Sequence, residues 1–388
     1  MLLHGPQSQR FTLDGSPMLE RHLEAVCAEV NIAVCELIPE TQLEGLLLAG
    51  GYGRGEGGVL RTASGDQPYN DLEFYVFVRG HRLRAEWTYG AALHELGVRL
   101  SARAGVEVEF KVLTLPALRA ARPSMFYYDL VLGHRWLTGD DALLVGCSHH
   151  RDAREIPLHE ATRLLMNRCS GLLFSAERLR RPRFGTEESD FVGRNLAKIQ
   201  LALGDVLVTA SGQYHWSCQE RHRRLRGLRT FGAAAWHEAV CRHHGAGLAF
   251  KLHPVRSREP REKLARQHAE LSQLARQLWL WFENLRLGRA YLGTREYALS
   301  ATDKCPETSP LRNRLVNAKA FGAWEALRGS GRRYPRQRLL HALCLLLWEE
   351  GLAENPALLE SVRCQLRAPA ADWGGLVAAY ERLWHRFN

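Results

Sequence analysis

Four acidic residues recur with a spacing that suits a metal-binding site. Asp71 and Glu73 open one apolar run. Glu107 and Glu109 alternate with apolar residues in a later run. Side chains along a β-strand alternate between its two faces, so the members of each pair share a face. Carboxylates that meet on adjacent strands repel one another unless a cation lies between them. The pattern therefore predicts a divalent-metal site built from three or four carboxylates.

A glycine-rich turn precedes the first acidic pair. An apolar run ends in Gly50-Gly51, and further glycines stand at positions 53, 55, 57 and 58. Such a turn lets the backbone approach a phosphate group closely. The sequence has no Gly-x-x-x-x-Gly-Lys-Ser/Thr run, which excludes a Walker phosphate loop. The spacing Gly53-x-Gly55-x-x-Gly58 matches a dinucleotide-binding motif. The segment that follows, 59–63, is too short for the crossover helix of that fold, which argues against it.

Short strands and helices must position these residues. Hydrophobic periodicity predicts helices at 17–38, 82–103 and 117–132. It predicts strands at 43–49, 72–78, 106–114 and 135–139. The segment 61–70 is polar and rich in turn residues, which predicts a loop.

Beyond Pro157 the apolar residues follow a helical period. Helices are predicted at 157–180, 187–211, 232–243, 260–287, 311–328, 335–351, 356–366 and 372–386. We therefore predict an α+β protein, with a small mixed-sheet head at 1–153 and a mainly α-helical domain at 154–388. A helical domain that is itself divided near 289–310 is the alternative.

Composition and charge indicate a globular protein with an uneven charge distribution. Apolar residues make up 46% of the chain, and the net charge is +10. Acidic residues outnumber basic ones within 1–153, whereas basic residues dominate the remainder, which favours anionic ligands there. The nine cysteines include no Cys-x-x-Cys pair, as is typical of reduced thiols. No apolar run approaches the roughly 20 residues of a membrane span, and no signal peptide is evident, so we expect a cytoplasmic protein without a membrane partner.

The turn and the acids together resemble the nucleotidyltransferases of the DNA polymerase β superfamily, whose bacterial members include antibiotic nucleotidyltransferases. The pattern of that family is an apolar residue, Gly, then Gly or Ser, followed by Asp-x-Asp/Glu and a later acid between apolar neighbours. The matching residues here are Gly50, Gly51, Asp71, Glu73 and either Glu109, which we prefer, or Glu107. The gap spanned by 52–70 is longer than is usual in the family. A helical domain after the catalytic head is also typical of it.

The resemblance implies transfer of a nucleoside monophosphate from a nucleoside triphosphate, such as ATP, to an acceptor hydroxyl, with release of pyrophosphate. Two Mg²⁺ ions would be held by Asp71, Glu73 and Glu109, and the backbone N–H of Gly51 would contact phosphate oxygens. A small hydroxylated molecule is the favoured acceptor, and an RNA end or a protein side chain is the alternative. A nucleotide-sensing module that performs no transfer is a further alternative.

Further binding residues are expected on a basic helix and in the turn. Arg194 and Lys198 lie four residues apart on one helical face, and the resemblance implies that Lys198 reaches the triphosphate. Asp205 continues that face and, with Tyr214, is a candidate for acceptor binding. Arg54 is a candidate for phosphate binding or for a pair with a nearby acid.

Three arginine-dense runs bear on the RNA alternative. They lie at 178–183, 221–226 and 332–336. Such runs can grip a nucleic-acid backbone, although they are more often solvated faces.

Overall fold

The chain divides into two compact units. The computed structural model describes residues 10–229, 236–369 and 372–388. The first unit comprises the chain up to Pro157 together with Leu207–Arg229 and Gly245–Val255. The second comprises Leu158–Val206, the described part of 230–244, and Arg256–Asn388, and it continues through 289–310. Two segments from beyond the predicted boundary at residue 153 thus fold into the first unit.

A four-stranded mixed sheet lies in the first unit. The strands of the chain are β1 (Leu43–Leu48), β2 (Val59–Thr62), β3 (Gly65–Pro68), β4 (Leu72–Val78), β5 (Val108–Leu113) and β6 (Arg135–Thr138). The sheet has the order β5-β4-β1-β6. β1 is antiparallel to both of its neighbours, whereas β4 and β5 are parallel.

Helices cover both faces of this sheet. The helices of its chain segment are α1 (Pro17–Leu37), α2 (Gly50–Gly53), α3 (Arg82–Ala104), α4 (Leu115–Ala120) and α5 (Met125–Leu132). Alternate residues of β4 serve two cores: Phe74 and Val76 pack with α1 and α3, whereas Tyr75 and Phe77 pack with α4 and α5. The single helix predicted at 117–132 is wrong, because Pro123 separates α4 from α5.

The predicted loop at 61–70 is wrong for most of its length. β2 and β3 form an antiparallel hairpin, with Arg61 opposite Asp66. The Thr62 hydroxyl donates a hydrogen bond to the Gly65 carbonyl at 2.7 Å across the turn. The hairpin is short and largely polar, so it carries no alternation of apolar residues that would reveal a strand.

The remainder of the described chain is helical. Its helices are α6 (Leu158–Arg180), α7 (Thr186–Ala210), α8 (Cys218–Gly227), α9 (His237–Leu252), α10 (Arg261–Leu287), α11 (Thr294–Leu299), α12 (Pro310–Phe321), α13 (Ala323–Leu327), α14 (Arg336–Trp348), α15 (Pro356–Leu366) and α16 (Trp373–Phe387). The predicted α+β class is confirmed. The predicted start of the helix at 232–243 lies outside the described residues, and α8 and α11 were not predicted.

Two further predictions concern cysteines and membranes. All nine cysteines are free. Within the described ranges, no helix combines the length and the apolar character that a membrane crossing requires.

Candidate metal centre

Three of the four predicted carboxylates come together where β4 and β5 begin. Asp71 directly precedes β4, and Glu73 lies opposite Glu109 in the parallel register. One carboxylate oxygen from each of these residues lies within 4.8 Å of the other two. Glu107 is exposed before β5, outside this cluster of described residues, and its carbonyl accepts a hydrogen bond from Leu72. The geometry therefore favours Glu109 over Glu107, and we call Asp71, Glu73 and Glu109 the acidic triad.

The donor set of the acidic triad suits a hard cation. It offers carboxylate oxygens, which Mg²⁺, Mn²⁺ and Ca²⁺ prefer as ligands. Asp71 is exposed and the other two residues are half-buried, so an ion from solvent can reach the triad. The acidic triad could hold a metal ion on these grounds.

Lys111 lies beside the acidic triad and was not predicted. Its ammonium nitrogen lies 3.2 Å from Glu109 Oε2 and 3.6 Å from Glu73 Oε1. Burial opposes the charge on this lysine, but Glu73, Tyr75 and Glu109 outweigh burial and raise the Lys111 pKa above its ordinary value. The same alternation that pairs Glu107 with Glu109 also places Lys111 on their face, so its position beside the carboxylates could have been predicted from the sequence.

The glycine turn borders the acidic triad. Gly50 has φ +64°, a conformation that favours glycine, and a Cβ there would lie 3.3 Å from Glu73 Oε2. A Cβ on Gly53 would lie 2.2 Å from the carbonyl oxygen of Leu48, so this position excludes every side chain. The turn thus brings bare backbone to the edge of the carboxylates, where Gly51 lies between these two glycines.

Tyr52 fixes the turn from within the core. Its hydroxyl donates to the Gly58 carbonyl and accepts the N–H of Tyr69, each at 2.8 Å. Burial raises the pKa of Tyr52 to about 12, so its hydroxyl stays protonated and able to donate at neutral pH. The side chain of Asn70 accepts the Gly58 N–H at 3.1 Å. Because Asn70 directly precedes Asp71, these bonds also position the first carboxylate of the acidic triad.

Glu56 joins the turn to the N-terminus of α8. Its carboxylate is 3% exposed and accepts hydrogen bonds from the Ser217 hydroxyl at 2.6 Å and the Cys218 N–H at 2.8 Å. Burial acts to raise the Glu56 pKa, but these donors, with Arg54 and Arg221, lower it below the ordinary glutamate value. A negative charge is also favourable at a helix N-terminus. Glu56 therefore holds the later segment within the first unit.

Arg54 forms a pair with a nearby acid, which is one of its two predicted roles, and its contact with phosphate stays a prediction. Its guanidinium lies 3.1 Å from Asp129 Oδ2, and its side chain is 11% exposed. The Tyr214 hydroxyl donates to the same carboxylate oxygen at 3.2 Å. The Arg221 guanidinium lies 4.9 Å from the centre of the Tyr214 ring. Arg221 is buried, so the run 221–226 is not simply a solvated face.

The other predicted residues lie on α7 in the second unit. Lys198 is exposed, and Arg194 pairs with Asp190 at 3.1 Å. Asp205 is 6% exposed, and its Oδ1 lies 3.2 Å from Nε2 of the buried His244. Asp205 thus lies in a buried acid–imidazole pair. The predicted contacts of Lys198 and Arg194 with triphosphate, and of Asp205 with an acceptor, stay predictions.

Comparisons with known proteins give no family. No protein-family model matches the chain, and no curated protein is significantly similar to it. The functional interpretation therefore depends on the residues themselves, above all on the acidic triad and the glycine turn.

Proposed function

We propose that this protein is a metal-dependent nucleotidyltransferase. The observation that carries the proposal is the proximity of the acidic triad to the glycine turn, where a Cβ added to Gly50 would lie 3.3 Å from Glu73 Oε2. A nucleoside triphosphate needs a cation for its phosphate oxygens and a backbone that can approach them closely. The first unit offers both within one short stretch of structure.

Each residue has a role in this proposal. Asp71, Glu73 and Glu109 would hold Mg²⁺, and two ions are expected from the resemblance. Bound Mg²⁺ would lower the pKa of the acceptor hydroxyl and stabilise charge on the leaving pyrophosphate. Gly51 would donate its backbone N–H to a phosphate oxygen. When the cation binds Glu73 and Glu109, Lys111 would no longer pair with these carboxylates, and its positive charge would lie beside the phosphates.

The favoured acceptor is a small hydroxylated molecule. An RNA end or a protein side chain is the alternative acceptor. Retention of single-stranded RNA that weakens steeply with salt would favour the RNA alternative.

The ion pairs of Lys111 favour a second candidate function, a nucleotide-binding module without transfer. Lys111 already pairs with two of the three carboxylates, at 3.2 and 3.6 Å. A nucleotide could then bind at the turn without a catalytic metal. Nucleotide binding without release of pyrophosphate, over a panel of acceptors, would favour this candidate.

Calorimetric titration with each of the four nucleoside triphosphates, with and without Mg²⁺, tests the proposal. We expect magnesium-dependent binding to the wild type, and its loss in Asp71→Asn and in Glu73→Gln. Glu107→Gln is the matched control, because this exposed acid lies outside the acidic triad, and it should bind as the wild type does. Binding that is indifferent to Mg²⁺ and to both triad substitutions would refute the proposal.

A further inference from the structure

A cavity in the second unit is lined by arginine side chains. Its volume is about 250 Å³, and its walls come from 325–341 and from 364–367. The charged residues that line it include four arginines and one carboxylate: Arg328, Arg333, Arg338, Arg367 and Glu325.

The carboxylate of Glu325 cannot neutralise this cluster. Arg338 and Arg367 both donate to it, and Arg328 Nη1 lies 3.5 Å from it. One negative charge thus faces three guanidinium groups, and Arg333 adds a fourth. Glu325 is the sole acid among the described residues that line the cavity, which leaves an excess of three positive charges.

The arginines of this cluster differ in burial: the side chains of Arg328 and Arg367 are 67% and 41% exposed. The side chain of Arg338 is 12% exposed. Burial lowers the Arg338 pKa, and Glu325 opposes that effect. His341 also lines the cavity but adds no charge, because burial and the nearby Lys304 lower its pKa well below its usual range. Glu325 is the anion that accompanies the buried Arg338, so the charge it leaves unbalanced lies on the more exposed arginines, where a ligand from solvent can reach it.

The backbone of Arg367 ends α15 as a left-handed C-cap, and its N–H donates to the Arg363 carbonyl. It is the one non-glycine residue of the described chain with a positive φ, +54°, which L-residues seldom adopt. From this position it forms its ion pair with Glu325. This conformation is common where a helix ends, and here it positions the Arg367 side chain beside Glu325.

We propose that this cavity binds a small phosphorylated compound. Guanidinium groups match phosphate oxygens through paired N–H donors, and two or three phosphate charges would balance the excess of three. A monocarboxylate would leave most of the excess uncompensated. The cavity volume is several times that of one water molecule, which is about 30 Å³, so the cavity admits a small molecule. A nucleic-acid strand, in contrast, follows an open groove over several nucleotides.

This inference does not depend on the proposed transferase activity. The acidic triad belongs to the first unit and the cavity to the second. Either one can therefore fail experimentally while the other holds.

Pyrophosphate is the probe for a calorimetric test on the full chain, with EDTA present to remove metal from the acidic triad. We expect binding to the wild type, and binding at least about tenfold weaker in the double variant Arg333→Ala/Arg367→Ala, because two charge-assisted hydrogen-bonding groups are lost. Arg382→Ala is the matched control, since this exposed arginine of α16 lies outside the cavity lining.

If the double variant fails to fold, a single variant can be used for the same binding measurement. Arg333→Ala alone leaves every ion pair of Glu325 in place and removes one side-chain hydrogen bond, to the Ala301 carbonyl, so it should weaken pyrophosphate binding and lower the thermal midpoint less than the double variant does. No binding to the wild type, or equal affinity in wild type and Arg333→Ala, would overturn the inference. Displacement of pyrophosphate by lower concentrations of a single-stranded RNA oligonucleotide would also overturn it, because the cavity would then serve nucleic acid.

Discussion

Lys111 competes with a cation for the carboxylates of the acidic triad. Its ammonium nitrogen lies 3.2 Å from Glu109 and 3.6 Å from Glu73, within direct ion-pairing distance. A bound divalent cation would occupy the same oxygens and would be repelled by the lysine charge. Replacing Lys111 with methionine keeps most of the length of the side chain and removes that charge. We therefore expect Lys111→Met to bind divalent cations more tightly than the wild type.

The magnitude follows from the geometry. A cation among the triad oxygens would lie about 5 Å from the lysine nitrogen, given oxygen–metal distances of about 2 to 2.5 Å. The Lys111 side chain is 44% exposed, so a water-like dielectric applies. Coulomb's law then gives a repulsion of about 1.5 kcal/mol between charges of +1 and +2, or about tenfold in affinity at low salt. Screening at physiological ionic strength reduces the expected effect to about fivefold.

Titration with Mn²⁺, followed by electron paramagnetic resonance at two salt concentrations, measures this effect. Lys111→Arg keeps the charge and should bind Mn²⁺ as the wild type does. Lys263→Met removes an exposed lysine whose partner is Glu259, and it should have no effect. Equal or weaker binding by Lys111→Met at low salt would refute the reasoning.

Two predictions concern the turn. Glu56→Gln should lower the free energy of unfolding by about 2 to 3 kcal/mol at neutral pH, because a buried charged acceptor is lost. The folded Glu56 pKa lies below the ordinary value of a glutamate, so the stabilisation is present above that ordinary pKa and fades as the pH falls through the folded pKa. Urea unfolding should therefore show the gap between wild type and variant closing in acid; a gap independent of pH, or one equal to that of the exposed control Glu36→Gln, would contradict this. Gly53→Ala should cost about 1 to 3 kcal/mol, since its Cβ would overlap the Leu48 carbonyl. Gly227→Ala, where a Cβ meets nothing within 4 Å, is its control, and equal urea midpoints for the two variants would contradict the clash.

The acidic triad was predictable because its signal is local. Period-two alternation places Asp71 with Glu73, and Glu107 with Glu109, whatever the rest of the chain does. The choice between Glu107 and Glu109 was not predictable, because both lie on the same face. That choice depends on the register of β5 against β4, which sets Glu109 opposite Glu73.

The partners of the turn were not predictable because they come from far along the chain. Asp129 lies 75 residues beyond Arg54, and Ser217 lies 161 residues beyond Glu56. Neither pair leaves a periodic pattern in the sequence. A charged residue in a glycine turn fits equally well with phosphate binding and with a buried ion pair, and only the tertiary structure decides between them.

The discontinuity of the first unit has a consequence for its synthesis. At about 5 to 20 residues per second, Ser217 leaves the ribosome roughly 8 to 30 seconds after Glu56. During that interval the nascent chain carries a carboxylate that is destined for burial but still lacks its helix, and the Arg54–Asp129 pair still lacks Tyr214. Co-translational folding of this unit therefore cannot finish before residues 207–229 and 245–255 have been made. A fragment cut after residue 153 would remain in this unfinished state permanently.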